Sequence, residues 1–66
     1  GYFMKKVTEH NLRKFIEMKK RYLKTKDKNL LQEINDFTEN VINQDKKYYS
    51  KLSSYNFSSE ELEFLM

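Results

Sequence analysis

The sequence predicts a small all-α protein, an antiparallel helical hairpin closed by a short third helix, for three reasons. Apolar residues recur at helical spacing over two long stretches. A capping sequence near the C-terminal end predicts one more helix. Hydrophobic residues make up 38% and charged residues 35% of the chain, a balance typical of a folded helical protein with a very polar surface rather than of a disordered one. Because the chain has only 66 residues, we expect a single domain over residues 1–66.

The first helix is predicted over residues 8–24. Thr8 is a good N-cap, and Glu9 suits the positive end of a helix. Val7 and Leu12 have the spacing of a hydrophobic staple across this start. One face of the helix is then apolar, with the members Leu12, Phe15, Ile16, Tyr22 and Leu23. The pattern fades after residue 24, so we expect the helix to end there.

The second helix is predicted over residues 29–52, with Asp27 or Asn29 as its N-cap. At 100° per residue, one stripe lies within about 60°: Leu30, Ile34, Phe37, Val41, Tyr48 and Leu52. A second apolar row, about 100° away, holds Leu31, Ile42 and Tyr49. A helix of this length would span about 36 Å and would extend about 10 Å beyond its shorter neighbour.

The third helix is predicted over residues 58–66. Ser58 as N-cap places Glu61 at the third helical position, which is a capping box. Phe57 and Leu62 flank it as a hydrophobic staple. We expect this helix to cover the overhanging end of the second one.

The N-terminal residues 1–7 are predicted to form a flexible tail because they show no helical period. Gly1–Phe3 are either native or a remnant of expression ahead of a start at Met4. This segment lacks the apolar core of a signal peptide, and no apolar run approaches eighteen residues. We therefore expect a cytoplasmic protein without a membrane anchor.

The composition predicts a protein that is not an enzyme. It contains one His, one Gly and no Cys, so no catalytic nucleophile set, no metal site and no phosphate-cradling loop can be assembled. We expect no catalytic residue, no cofactor, no metal and no small-molecule substrate.

Charge is divided unevenly along the chain. Residues 1–28 hold ten Lys and Arg against three Asp and Glu, a net +7, whereas residues 29–66 hold three against seven, a net −4. Five of the cations share the outer face of the first helix: Arg13, Lys14, Lys20, Arg21 and Lys24. Three interpretations stay open for this basic face. It is a solvated face with ion pairs to Glu17, a docking site for an acidic protein, or a nucleic-acid contact.

Two charges fall within the apolar stripes, Lys19 in the first helix and Asp45 in the second. Lys19 is expected to extend its ammonium past its apolar stem into solvent. Asp45 is expected at the rim of the core, or against Lys5, Lys6 or a cation of a partner.

Aromatic residues concentrate in the C-terminal half, and the relevant tyrosines are Tyr48, Tyr49 and Tyr55. They are either core residues or a surface patch that binds a protein. The leading hypothesis is a non-catalytic protein–protein interaction module, a small regulator or adaptor that docks on a larger protein or forms a homodimer. The alternative is an accessory nucleic-acid-binding protein that uses the basic face.

Overall fold

The computed structural model describes residues 5–66 and confirms a small all-α fold. The four α-helices are α1 (Glu9–Thr25), α2 (Lys28–Phe37), α3 (Tyr48–Ser54) and α4 (Ser59–Leu65). A π-helical turn over Thr38–Ile42 continues α2. The described part contains no strand. Most of the predicted N-terminal tail, residues 1–4, lies outside the described residues.

Helices α1 and α2 form the predicted antiparallel hairpin. The Phe15 and Phe37 rings meet with their centroids 4.9 Å apart, early in α1 and at the end of α2. At the other end of the hairpin, Tyr22 and Leu31 line the same crevice. The first half of α1 thus meets the end of α2, and the last part of α1 meets the start of α2. Only antiparallel helices make both contacts. The hairpin prediction is therefore confirmed.

The turn of the hairpin is made without Gly or Pro. Lys26 adopts a left-handed conformation with φ 57° and donates its backbone N–H to the Tyr22 carbonyl, which ends α1. A left-handed backbone costs a non-glycine residue roughly 1 kcal/mol. Asp27 then begins α2 by accepting a hydrogen bond from the Asn29 backbone N–H at 2.8 Å. Of the two predicted N-caps, the structure uses Asp27.

The prediction of one continuous helix over residues 29–52 is wrong. The chain leaves helical geometry between Ile42 and Tyr48, after the Asn43 backbone N–H bonds to Thr38 five residues back. Asp45 provides the physical reason, because its carboxylate accepts from the Lys47 backbone N–H at 2.9 Å. This side-chain turn competes with the helical ladder, as short polar residues commonly do.

The burial predicted for the apolar stripe nevertheless holds across the break. Five of its six members are buried, and only Leu30 is half-exposed. They form one core with α1 residues, and the side chains with the lowest exposure are Leu12, Phe15 and Phe37. Val7 also belongs to this core at 5% exposure, as the staple with Leu12 predicts.

Helix α4 begins as predicted but packs in a different place. The Ser58 hydroxyl accepts from the Glu61 backbone N–H at 3.2 Å, and the Glu61 carboxylate accepts from the Ser58 backbone N–H at 2.8 Å. The helix lies mainly against α1, not over an overhanging end of the second helix. Its last carbonyls are held by two side chains: Lys19 donates to Phe64 and Tyr48 donates to Leu65.

The capping box gives a first prediction. Ser58→Ala removes a side-chain acceptor from the start of α4, so we expect the protein to lose about 1 kcal/mol of unfolding free energy. Urea denaturation followed by circular dichroism measures this loss. Ser59→Ala, one position into the helix, is the matched control and should stay close to wild type. Equal losses in the two variants would show that the cap contributes nothing specific.

Candidate functional site

The basic face of α1 is partly neutralised inside the molecule. Arg13 forms ion pairs with Glu9 at 3.0 Å and with Glu61 of α4 at 2.7 Å. Its guanidinium also lies 4.8 Å from the centroid of the Phe57 ring. These carboxylates, the hydrogen bond from Glu9 first, raise the pKa of Arg13 above its ordinary value. Arg13 is therefore engaged in holding α4 on α1.

The other cations of this face divide into two groups. Lys20 lies 3.7 Å from Glu60 and above the Phe64 ring, so it too faces α4. Arg21, Lys24 and Lys14 are exposed. Glu17 was predicted to pair with cations of this face. Arg13 pairs with Glu9 instead.

The three predicted tyrosines do not form one surface patch. Tyr48 is 4% exposed and belongs to the core. Tyr55 is half-buried, and its hydroxyl donates to the Val7 carbonyl at 3.4 Å. Tyr49 alone is open, with 67% exposure, and its ring packs edge-on against Tyr48 at 5.3 Å. Two of the three residues are therefore mainly structural.

An apolar crevice of about 250 Å³ opens beside the remaining cations of α1. Its walls come from both arms of the hairpin and from α4, and they are Lys19, Tyr22, Leu23, Leu31, Ile34 and Phe64. Leu23 is 58% exposed, although the sequence places it on the apolar face of α1. Leu23 and Phe64 also border a second depression, whose charged lining residues are Lys20, Arg21, Lys24, Glu17 and Glu60. We call this continuous area, centred on Leu23, the Leu23 surface.

Lys19 links the crevice to the C-terminal end of α4. Its ammonium donates to the Phe64 carbonyl at 2.5 Å and lies 4.7 Å from the centroid of the Phe15 ring. Burial lowers the pKa of Lys19 below its ordinary value. The Lys19 ammonium therefore does not extend into solvent as predicted. It caps the C-terminal end of α4, where a cation suits the negative helix end.

A second candidate site, absent from the sequence predictions, lies where the second helix breaks. It is an open groove of about 520 Å³ between the segment before α1 and the turn before α3. Five lysines line it: Lys5, Lys6, Lys46, Lys47 and Lys51. We call it the lysine groove.

Asp45 is the acidic residue of the lysine groove, and its carboxylate already has partners within the molecule. Its carboxylate pairs with Lys51 at 2.5 Å and accepts from the Lys47 backbone N–H. The hydrogen bond from Lys51, followed by that from Lys47, lowers the pKa of Asp45. Its partner is thus Lys51 rather than the predicted Lys5 or Lys6, although both of these line the same groove.

One signal in the sequence could have predicted this groove. The three cations of residues 29–66 are Lys46, Lys47 and Lys51, which fall within six positions of an otherwise acidic segment. An antiparallel hairpin brings this segment near the start of α1, where Lys5 and Lys6 precede the helix. In a continuous helix these lysines would lie within about 140° on its polar face, so the sequence pattern alone indicates only a solvated surface.

Within residues 5–66, no group of three His, Asp or Glu side chains could hold a metal ion. No helix in that part of the chain is both long and apolar enough to cross a bilayer. Compared with protein-family models, curated proteins and solved structures, the chain gives no significant match.

Proposed function

We propose that this protein is a non-catalytic interaction module that binds an acidic, amphipathic segment of a partner protein on the Leu23 surface. The observation that carries the proposal is the exposure of Leu23, at 58%, next to an apolar crevice and among cationic side chains. A regulator or adaptor that acts in the cytoplasm is the corresponding biological expectation, and it stays a prediction.

The chemistry of the Leu23 surface favours a protein partner. Burying a leucine side chain contributes about 1.5–3 kcal/mol, and a crevice lined by Tyr22, Leu31 and Phe64 offers further apolar area. Interfaces commonly combine such a central apolar anchor with a polar rim. Here Arg21 and Lys24 lie on the rim together with Glu17, and Lys20 pairs with Glu60, so the rim keeps a net positive charge that favours association with carboxylates.

A second copy of the chain fits this surface less well. A symmetric dimer would place the same patch on both partners. The cations around Leu23 would then face one another, and the whole chain carries a net charge of +3. Like charges across an interface oppose association. We therefore favour an acidic partner over a homodimer.

Nucleic-acid binding by the basic face of α1 is also less favoured. Arg13 and Lys20 are directed at glutamates of α1 and α4, and these glutamates would repel phosphate. Two of the five predicted cations of this face are therefore engaged within the molecule.

Affinity capture from the native lysate, with matched variants, tests the proposal. Leu23→Gln removes the apolar anchor from an exposed position, so we expect a protein retained by wild type to be lost. Met66→Gln is the control, because Met66 is 77% exposed and does not line the Leu23 surface. Arg21→Gln with Lys24→Gln should weaken the same capture in a salt-dependent way. Retention that Leu23→Gln leaves unchanged would refute the proposal.

Light scattering over a hundredfold concentration range tests the homodimer. We expect a constant mass of 8.1 kDa. A mass twice as large that Leu23→Gln returns to 8.1 kDa would instead assign the Leu23 surface to self-association.

A further inference from the structure

We propose that the lysine groove binds the phosphate backbone of nucleic acid without reading its bases. This site is separate from the Leu23 surface. Thr8 lines the groove and Leu23 lines the other surface, and fifteen residues of α1 separate them, which corresponds to about 22 Å. The two proposals can therefore fail independently.

Cations are concentrated in the lysine groove. The segment of residues 29–66 carries a net −4, yet all three of its cations lie in this groove. Lys5 and Lys6, from the opposite end of the chain, join them there. The fold thus gathers five lysines from two segments about forty residues apart.

Most of the positive charge in the lysine groove is not neutralised by an ion pair within the described residues. Lys51 pairs with Asp45, the acidic residue among those that line the groove. The other four lysines (Lys5, Lys6, Lys46 and Lys47) are exposed and form no ion pair with a residue in the described part of the chain, although the charge of Lys47 also helps to lower the pKa of Asp45. This contrasts with the basic face of α1, where glutamates of α4 approach the cations.

The lining of the lysine groove favours phosphate over an acidic protein. The apolar residues that line the groove, Val7 and Val41, are 5% and 7% exposed, so the groove offers no apolar anchor. A protein partner would find charge alone, and exposed ion pairs contribute little. A nucleic acid carries regularly spaced phosphates and releases counterions when cations replace them, which makes charge alone sufficient for binding.

The groove offers few side chains that could read bases. Of its two amides, Asn40 and Gln44, the second already donates to the Glu39 carbonyl at 3.3 Å, and one remaining amide specifies little sequence. Among residues 5–66, no aromatic side chain lines the groove. The exposed Tyr49 lies on α3 about 160° around the helix from Lys51, on the side away from the groove. The expected binding is therefore independent of sequence and depends strongly on salt.

Fluorescence anisotropy tests this proposal with two labelled probes, a mixed-sequence DNA single strand and its duplex, starting at about 50 mM salt. We expect binding whose log–log salt slope on the duplex is about −3 to −4, because four lysines are uncompensated. The groove variant is Lys46→Gln with Lys47→Gln. It should lose about tenfold or more in affinity, and its slope should shrink to about −2.

Lys26→Gln with Lys28→Gln is the matched control, because it removes the same charge outside both the groove and the Leu23 surface. The affinity of this variant for DNA should stay within about threefold of wild type, because the variant only reduces the general attraction due to net charge. Circular dichroism of both variants verifies the fold, and all four positions are exposed.

Three results would overturn the proposal. The first is the absence of binding to both probes at low salt. The second is an equal loss in the groove variant and in the control, which would show attraction by net charge only. The third is displacement of the DNA by polyglutamate at the same charge concentration, which would show that the groove accepts carboxylates equally well.

Discussion

Replacing Phe37 by Ala is expected to remove most of the folding free energy of this protein. Phe37 is 0% exposed and packs against Phe15 at the centre of the hairpin. Large-to-small changes of a buried Phe cost about 3–5 kcal/mol, because a cavity remains where the ring was. A domain of this size rarely has more than about 3–5 kcal/mol of stability in total. The expected loss is therefore comparable to the total free energy of unfolding of the protein.

Circular dichroism in a urea titration measures this effect. The Ala variant should be largely unfolded without denaturant, and its helical signal should return only in the presence of a stabilising osmolyte. Phe37→Leu is the control, since it keeps most of the apolar volume and should cost less than about 1.5–2 kcal/mol. A cooperative transition of the Ala variant close to that of wild type would contradict the proposed core.

Alkaline pH is expected to destabilise the protein through Tyr48. This side chain is almost fully buried, and its hydroxyl donates to the Leu65 carbonyl at 2.7 Å. Burial, with a smaller contribution from the neighbouring Tyr49, raises the pKa of Tyr48 to about 12. In the unfolded chain a tyrosine titrates near pH 10.

The direction of this pH effect follows from which protonation state of Tyr48 the folded protein favours. The neutral phenol is favoured in the folded state, so its contribution to stability is complete below pH 10 and is lost as the pH rises toward 12. The loss is as large as about 2–3 kcal/mol, which is a substantial part of the total. Urea titrations at a series of pH values in this interval should show the decline.

Tyr48→Phe separates this effect from the titration of the lysines. The variant should lose about 1 kcal/mol near neutral pH, because the hydrogen bond to Leu65 is removed. Its additional loss at alkaline pH should be smaller than that of wild type. Tyr22→Phe, at a half-buried position outside α3, is the control and should follow the wild-type curve. Parallel declines in Tyr48→Phe and wild type would remove Tyr48 as the cause.

Local signals predicted the helix ends that depend on a few neighbouring residues. The Thr8 cap and the Ser58–Glu61 capping box form as predicted, because each joins groups only three residues apart. The break after Ile42 was not predicted, although Asp45 carries a local turn signal. Its position in the apolar stripe suggested a helix, and the turn that it forms with Lys47 overrides that period.

The candidate sites depended on longer-range packing. The basic face of α1 is visible in the sequence, but the approach of Glu60 and Glu61 to Lys20 and Arg13 is not, because it requires α4 to pack on α1. Likewise, Tyr48 and Tyr49 are neighbours in sequence, yet one is core and the other is exposed.

By itself, the sequence determined that this chain is all-α, which residues are apolar enough to form its core, and where its caps begin helices. The tertiary structure decided which charges meet. Hydrophobic period and capping are properties of a few consecutive residues, and they act before the chain has folded. Charge pairing and the gathering of lysines at the break instead join segments about forty residues apart, so only the packed chain places them together.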